Sequence, residues 1–85
     1  MPEKAEKLLE DMRASKANWG RSDLQTLYLG FGFDIRHGAK HDIVSHPRHP
    51  QLRATLPRHA KLAKAYVTTA VKLVDRLHEL EEGEQ

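Results

Sequence analysis

The sequence lacks cysteine, long hydrophobic runs and any strong excess of charge of one sign. Without cysteine, its 85 residues contain no disulfide, no thiolate metal ligand and no cysteine nucleophile. No apolar run approaches the roughly 20 residues that span a bilayer, and the polar N-terminus is unlike a secretory signal. We therefore expect a cytoplasmic protein without a membrane segment.

The composition fits one small globular domain. Hydrophobic residues make up 39% of the chain and charged residues 31%, a balance typical of folded proteins rather than of disordered tails. The formal net charge is only +2, so the overall balance indicates no particular partner.

Charge is nevertheless distributed unevenly along the chain. In residues 36–64, seven Lys and Arg stand against Asp42 alone, which gives a net charge of +6. The same segment carries five of the six histidines, whereas residues 1–14 and 75–85 have net charges of −1 and −4. A basic, histidine-rich middle favours binding to phosphate groups, although a run of charge is also typical of an ordinary solvated surface.

Hydrophobic periodicity predicts three helices. The first spans 3–15, and the second begins at Ser22 as N-cap, with Gln25 at capping-box spacing. The third and longest spans 64–81. The apolar stripes of the three helices are Ala5, Leu8, Leu9 and Met12; Leu24, Leu27, Tyr28 and Phe31; and Val67, Ala70, Val71, Val74 and Leu77.

Between the second and third helices the periodicity changes from 3.6 to 2, which predicts three strands at 33–36, 41–45 and 52–56. The connections, a turn at 37–40 and a proline-containing segment at 46–50, are too short for parallel neighbours. We therefore predict an α+β fold of order α-α-β-β-β-α, in which helices pack on one face of a three-stranded antiparallel sheet.

This fold forms a single domain over residues 1–85. We expect a short helical N-terminal extension at 1–18 and a frayed acidic C-terminus at 80–85, where glutamates predominate.

Five short motifs occur along the chain in an order that is hard to obtain by chance. They are Phe31-Gly32-Phe33, a glycine-containing turn that ends in His41, His46-Pro47, Leu56-Pro57-Arg58-His59, and Tyr66-Val67 at the start of a long helix. Together they resemble the HicA (YcfA-like) toxins of bacterial type II toxin–antitoxin systems, over roughly residues 5–78. The resemblance implies a fold similar to the double-stranded-RNA-binding domain, in agreement with the predicted elements.

The resemblance also implies an activity and a partner. HicA toxins are translation-independent endoribonucleases that cleave mRNA, and a cognate HicB antitoxin covers their active site. The family's catalytic histidine lies in a Gly-Ser-His stretch at the start of the second strand. The matching stretch here is Gly38-Ala39-Lys40-His41, so His41 inherits the catalytic role. Lys40 replaces the usual small hydroxyl residue, and Gly38 stands one position further from the histidine.

The chemistry of RNA cleavage suits an imidazole. The RNA 2′-hydroxyl can attack the adjacent phosphate, and a side chain with a pKa of about 6.5 can serve as base or acid near neutrality. Arg36 and Lys40, on either side of the turn, are candidates for holding the phosphate. His46 is the candidate for a second proton-transfer group, although its position before Pro47 also fits a turn cap. Further candidate RNA contacts are Arg58, His59 and Lys61.

Plainer interpretations remain open. A lone histidine at a strand start is usually a surface or structural residue, and His37, His49 and His78 are expected to be solvated. The absence of HExxH and the turn between His37 and His41 argue against a metal site, so we expect no metal or other cofactor. Two alternatives to the enzyme are a non-catalytic RNA-binding module that uses the same basic face and a purely protein-binding domain.

Overall fold

The computed structural model describes residues 3–57 and 64–83, which form the predicted α+β fold. Every predicted helix and strand is present, with its ends within two residues of the predicted ones. In chain order the elements are α1 (Glu3–Ala14), α2 (Arg21–Gly30), β1 (Asp34–His37), β2 (Asp42–Ser45), β3 (Arg53–Leu56) and α3 (Lys64–Gly83).

One hydrophobic core joins the three helices to the sheet. The predicted stripe of α3 is buried along its whole length, and Leu9 and Met12 of α1 belong to the same core cluster. The N-terminal helix is therefore part of the core of the domain. The buried hydrophobic residues are Ala5, Leu9, Met12, Leu24, Leu27, Tyr28, Phe33, Val44, Leu52, Leu56, Val67, Ala70, Val71, Val74 and Leu77.

The start of α2 differs from the prediction. The N-cap is Gly20 rather than Ser22, so the helix begins two residues earlier than predicted. The Asp23 carboxylate accepts the backbone N–H of Gly20 at 2.9 Å, so the reciprocal bond of a capping box comes from Asp23 and not from Gln25. An acidic residue in the first turn is also favoured by the helix dipole. The predicted Ser22 cap is therefore wrong by two positions.

The three strands form an open antiparallel sheet in the order β1-β2-β3. In the register of the sheet Val44 pairs with Ile35 on one side and Ala54 on the other. Paired residues share a face, and these three pack into or against the core. The opposite face carries the pairs of Ile43 with Arg36 and Thr55, and of Ser45 with Asp34 and Arg53. We call this second surface the open face.

The C-terminal prediction is wrong for residues 80–83, which continue α3 instead of fraying. Leu80 packs against the core, and Glu81 forms an ion pair with Arg48 in the connection between β2 and β3. An apolar contact and an ion pair thus hold the last turn of the helix. Residues 84 and 85 lie outside the described part of the chain.

Candidate functional site

The turn between β1 and β2 is shaped by the close approach of two backbone segments. The N–H of Gly38 donates to the carbonyl of His41 at 3.0 Å. A Cβ atom at position 38 would lie only 2.3 Å from that carbonyl oxygen, a distance no side chain tolerates. Glycine is therefore required here by space, and it fixes the backbone on which the His41 ring is carried.

The candidate catalytic residue, His41, is exposed directly before the first residue of β2. His41 belongs to the bend that connects β1 to β2, outside the paired residues of both strands. Lys40 beside it is also exposed, as is Arg36 on the neighbouring strand. The sheet thus brings the three sequence-predicted residues of this turn to one exposed end of the hairpin.

Among the described residues, the cations of the β1–β2 turn and of the open face form no ion pair. Within residues 3–57 and 64–83, no carboxylate forms an ion pair with Arg36, Lys40 or Arg53. Arg36 and Arg53 line a groove of about 360 Å³ that also includes Asp34. With two guanidinium groups and one carboxylate, the groove keeps a net positive charge, and guanidinium groups can bind a phosphate by charge-assisted hydrogen bonds.

His46, the predicted second proton-transfer group, lies at the opposite end of β2. Five residue steps separate it from His41, which corresponds to about 16 Å along an extended strand. Its ring is 3% exposed and packs edge-on against Phe33, with 5.0 Å between ring centroids. The Nδ1 atom accepts the backbone N–H of Arg48 at 3.2 Å. This placement argues against a shared role with His41 and supports the turn-cap role.

Burial lowers the pKa of His46, and the nearby positive charges of His49 and Arg48 act in the same direction. The Glu81 carboxylate and the carbonyl of Phe31 oppose this shift. A ring held neutral in this way acts as a packing and hydrogen-bonding group.

The other histidines divide between surface and interior. The prediction that His49 is solvated is wrong: it is 4% exposed and packs against the His46 ring at 5.2 Å between centroids. His78 is exposed, as predicted, and its ring contacts Phe31. His37 is exposed too, but it has a partner that the sequence reasoning missed.

That partner is Asp42, a buried carboxylate that is 1% exposed. His37 Nδ1 lies 3.0 Å from Asp42 Oδ1, and Arg21 of α2 forms an ion pair with the other carboxylate oxygen. A sequence signal existed, because strand alternation places Asp42 on the buried face with Val44, where a carboxylate needs partners. No local pattern in the sequence predicted that Arg21 of α2 would be the second partner.

The three predicted RNA contacts Arg58, His59 and Lys61 lie outside the described residues. Within the described ranges, no group of three or more His, Asp or Glu side chains stands close enough to hold a metal ion. Those same ranges include no helix that is both long and apolar enough to cross a membrane.

The fold and the exposed turn define a small α+β domain with a phosphate-compatible surface. Comparisons of the chain with protein-family models, with curated proteins and with solved structures give no significant match.

Proposed function

We propose that the protein is a metal-independent endoribonuclease that cleaves mRNA at the surface around His41, and that it is the toxin of a type II toxin–antitoxin pair. One observation carries the enzymatic part: an exposed imidazole stands in the β1–β2 turn between Arg36 and Asp42, next to Lys40, and neither Arg36 nor Lys40 forms an ion pair with a carboxylate of the described residues. The toxin role rests on the resemblance to HicA proteins.

The proposed reaction needs a proton acceptor, a proton donor and stabilisation of negative charge. His41 transfers a proton during attack of the 2′-hydroxyl on the adjacent phosphorus. Arg36 and Lys40 bind the phosphate and offset the charge that develops on its oxygens. Arg53, in the groove with Arg36, extends the cationic surface along the open face and receives the neighbouring backbone phosphates.

The partner in this proposal is a HicB-like antitoxin in the cytoplasm. A small toxin is inhibited most simply when another protein covers its basic face and removes the His41 ring from contact with RNA. No cofactor takes part. The adjacent reading frame is the place to look for the antitoxin, and co-purification of its product tests the pairing directly.

The test of the enzymatic proposal is incubation of purified protein with a defined RNA in EDTA. We expect fragments with a 2′,3′-cyclic phosphate and a 5′-hydroxyl, because the attacking oxygen belongs to the RNA itself. The matched control is the same oligonucleotide with 2′-O-methyl groups, which binds but offers no nucleophile.

Each other result contradicts the proposal in a different way. Cleavage of the 2′-O-methyl control would rule out attack by the RNA hydroxyl. Retention of RNA without any product would support the non-catalytic RNA-binding module. Absence of salt-dependent RNA affinity would leave the protein-binding domain, because phosphate-driven binding weakens steeply as salt rises.

A further inference from the structure

A second imidazole flanks the same turn, and it is held in a defined orientation. His37 Nδ1 and Asp42 Oδ1 are 3.0 Å apart, and the two residues are paired across the β1–β2 ladder. The His37 side chain is 84% exposed, whereas the Asp42 side chain is 1% exposed. One nitrogen of the ring is therefore anchored to a buried carboxylate, and the Nε2 atom on the far side of the ring is accessible.

The carboxylate itself is fixed by its surroundings. Asp42 lies on the buried face of the sheet, and the half-buried Arg21 binds its second oxygen from α2. A buried charge with two such partners has little freedom to turn. An anchored carboxylate of this kind sets the tautomer and direction of a histidine and stabilises the ring when it becomes protonated.

The anchored ring lines a groove of about 410 Å³ between α2 and β1. β1 is an edge strand, and Arg36 lines both this groove and the groove on the open face. A phosphate bound by Arg36 would lie at the border of the two grooves, beside the turn that carries His41. His46 also lines the groove on the open face, but it is only 3% exposed, whereas the His37 side chain is 84% exposed.

We propose that His37 is the second proton-transfer group of the ribonuclease, with Asp42 as its positioning residue; this inference rests on the proposed function. His37 Nε2 takes the proton of the RNA 2′-hydroxyl as the bond from the 2′-oxygen to phosphorus forms. The bond from phosphorus to the 5′-oxygen then breaks, and protonated His41 supplies the proton to that oxygen. The products are a 2′,3′-cyclic phosphate and a 5′-hydroxyl, and both rings exchange protons with water afterwards.

The first test is the rate of RNA cleavage by His37→Gln under single-turnover conditions. We expect a loss of about 10² to 10⁴-fold, the usual contribution of a positioned general base. Affinity for the 2′-O-methyl oligonucleotide should stay within about twofold of wild type. Since His37 is a partner of the buried Asp42 carboxylate, its replacement should cost some stability, so the rates are compared under conditions in which denaturant unfolding shows the variant to be folded. His78→Gln, which replaces another exposed histidine, is the matched control and should cleave at the wild-type rate.

The second test asks whether Asp42 positions His37 for the reaction or only contributes to the stability of the fold. Among the described residues, the charged groups that bond to His37 or line its groove are Asp42 on β2, Arg21 on α2 and Arg36 on its own strand. Asp42→Asn keeps the shape of the side chain but does not stabilise a protonated ring as a carboxylate does. We expect the single-turnover rate to fall, while affinity for the 2′-O-methyl oligonucleotide stays near wild type.

The outcomes distinguish this inference from the function on which it rests. If wild type cleaves RNA and His37→Gln cleaves within about threefold of it, the role of His37 is overturned and the ribonuclease stands. If His78→Gln is impaired as strongly as His37→Gln, the effect is not specific and the inference also falls. If wild type itself produces no fragments, both proposals fail together.

Discussion

The two ends of β2 carry the same kinds of residue in opposite physical states. At the start of the strand, His41 and Lys40 are exposed and have no ion-pair partner among the described residues. At the other end, His46 and His49 are buried, and Arg48 forms an ion pair with Glu81. Both ends are basic and histidine-rich in sequence, yet their histidines differ in exposure. Arg53, opposite Ser45, is exposed and forms no ion pair with a described carboxylate, so the second end keeps part of its positive charge.

The difference shows that burial and pairing, rather than residue type, decide which histidines are available for chemistry. The His46 ring completes the core by packing edge-on against Phe33 and by accepting a backbone N–H in the connection to β3. The acidic end of α3 neutralises this connection, so a net charge of +6 over residues 36–64 overstates the charge open to a phosphate. In the exposed turn between β1 and β2, the positive charge of Lys40 is not neutralised by a described carboxylate.

The largest expected effect comes from removing the exposed imidazole. His41→Ala should reduce RNA cleavage by about 10² to 10⁴-fold and abolish growth arrest on expression. The substitution is at an exposed position, so the free energy of unfolding should change by no more than about 0.5 kcal/mol. Cleavage assays, colony counts and denaturant unfolding measure these three quantities. A His41→Ala protein as toxic as wild type would overturn the assignment of His41.

The turn that carries His41 is exposed, but we expect substitution of its glycine to destabilise the protein. Gly38→Ala places a Cβ atom 2.3 Å from the His41 carbonyl oxygen, so the turn must open. We expect a loss of about 1–3 kcal/mol in the free energy of unfolding, the usual range for forced overpacking. Ala39→Ser, at the exposed neighbouring position, is the control and should change stability by less than about 0.5 kcal/mol. Equal stability of the two variants would contradict the described turn.

The two ends of β2 should also differ in their contribution to RNA binding. Arg36→Gln removes an unneutralised charge, so affinity for a 2′-O-methyl oligonucleotide should fall and the slope of log K against log salt should decrease by about 0.7–0.9. Arg48→Gln removes a guanidinium group that Glu81 already neutralises, so both quantities should stay near wild type. Fluorescence anisotropy at several salt concentrations measures both. Equal losses in the two variants would show that the Arg48–Glu81 pair opens for RNA.

Local signals in the sequence were sufficient to predict the fold. The apolar stripe of α3 has a period of 3.6, and each of its five predicted residues is buried. The short connections between the strands predicted an antiparallel meander, which the register confirms. These features depend on neighbours in sequence, so periodicity and turn length reveal them.

Whether each histidine is buried or exposed, and which residue it bonds to, depended instead on contacts between residues distant in the sequence. Asp42 holds His37 from across the turn and is itself held by Arg21, 21 positions away. His46 is buried in part because its ring packs against Phe33, which directly precedes β1 and is 13 positions away in the sequence. The alternation of β2 marked Asp42 as buried, but no pattern in the sequence identified which residue from α2 would meet it. By contrast, the position of His41 in a turn was enough to predict that its side chain is exposed.

The smallest expected effect tests the buried end of the strand through pH. Burial lowers the pKa of His46, while in the unfolded chain the same ring takes up a proton near pH 6.5. As pH falls below about 6.5, the unfolded state therefore binds more protons than the folded state, and the free energy of unfolding decreases. The loss ends below the lowered pKa of the folded protein, and above about pH 7 this group contributes no pH dependence.

Denaturant unfolding at pH 7.5 and pH 5.5 measures this contribution. Wild type should lose up to about 1.4 kcal/mol per pH unit from His46 within that window. His46→Asn retains an acceptor for the backbone N–H of Arg48 but does not titrate, so its loss between the two pH values should be smaller. The exposed histidines are common to both proteins and cancel in the comparison, whereas His49 contacts the His46 ring, so the difference reports on the buried pair. An identical loss in the two proteins would contradict the lowered pKa of His46, and with it the contrast between the two ends of β2.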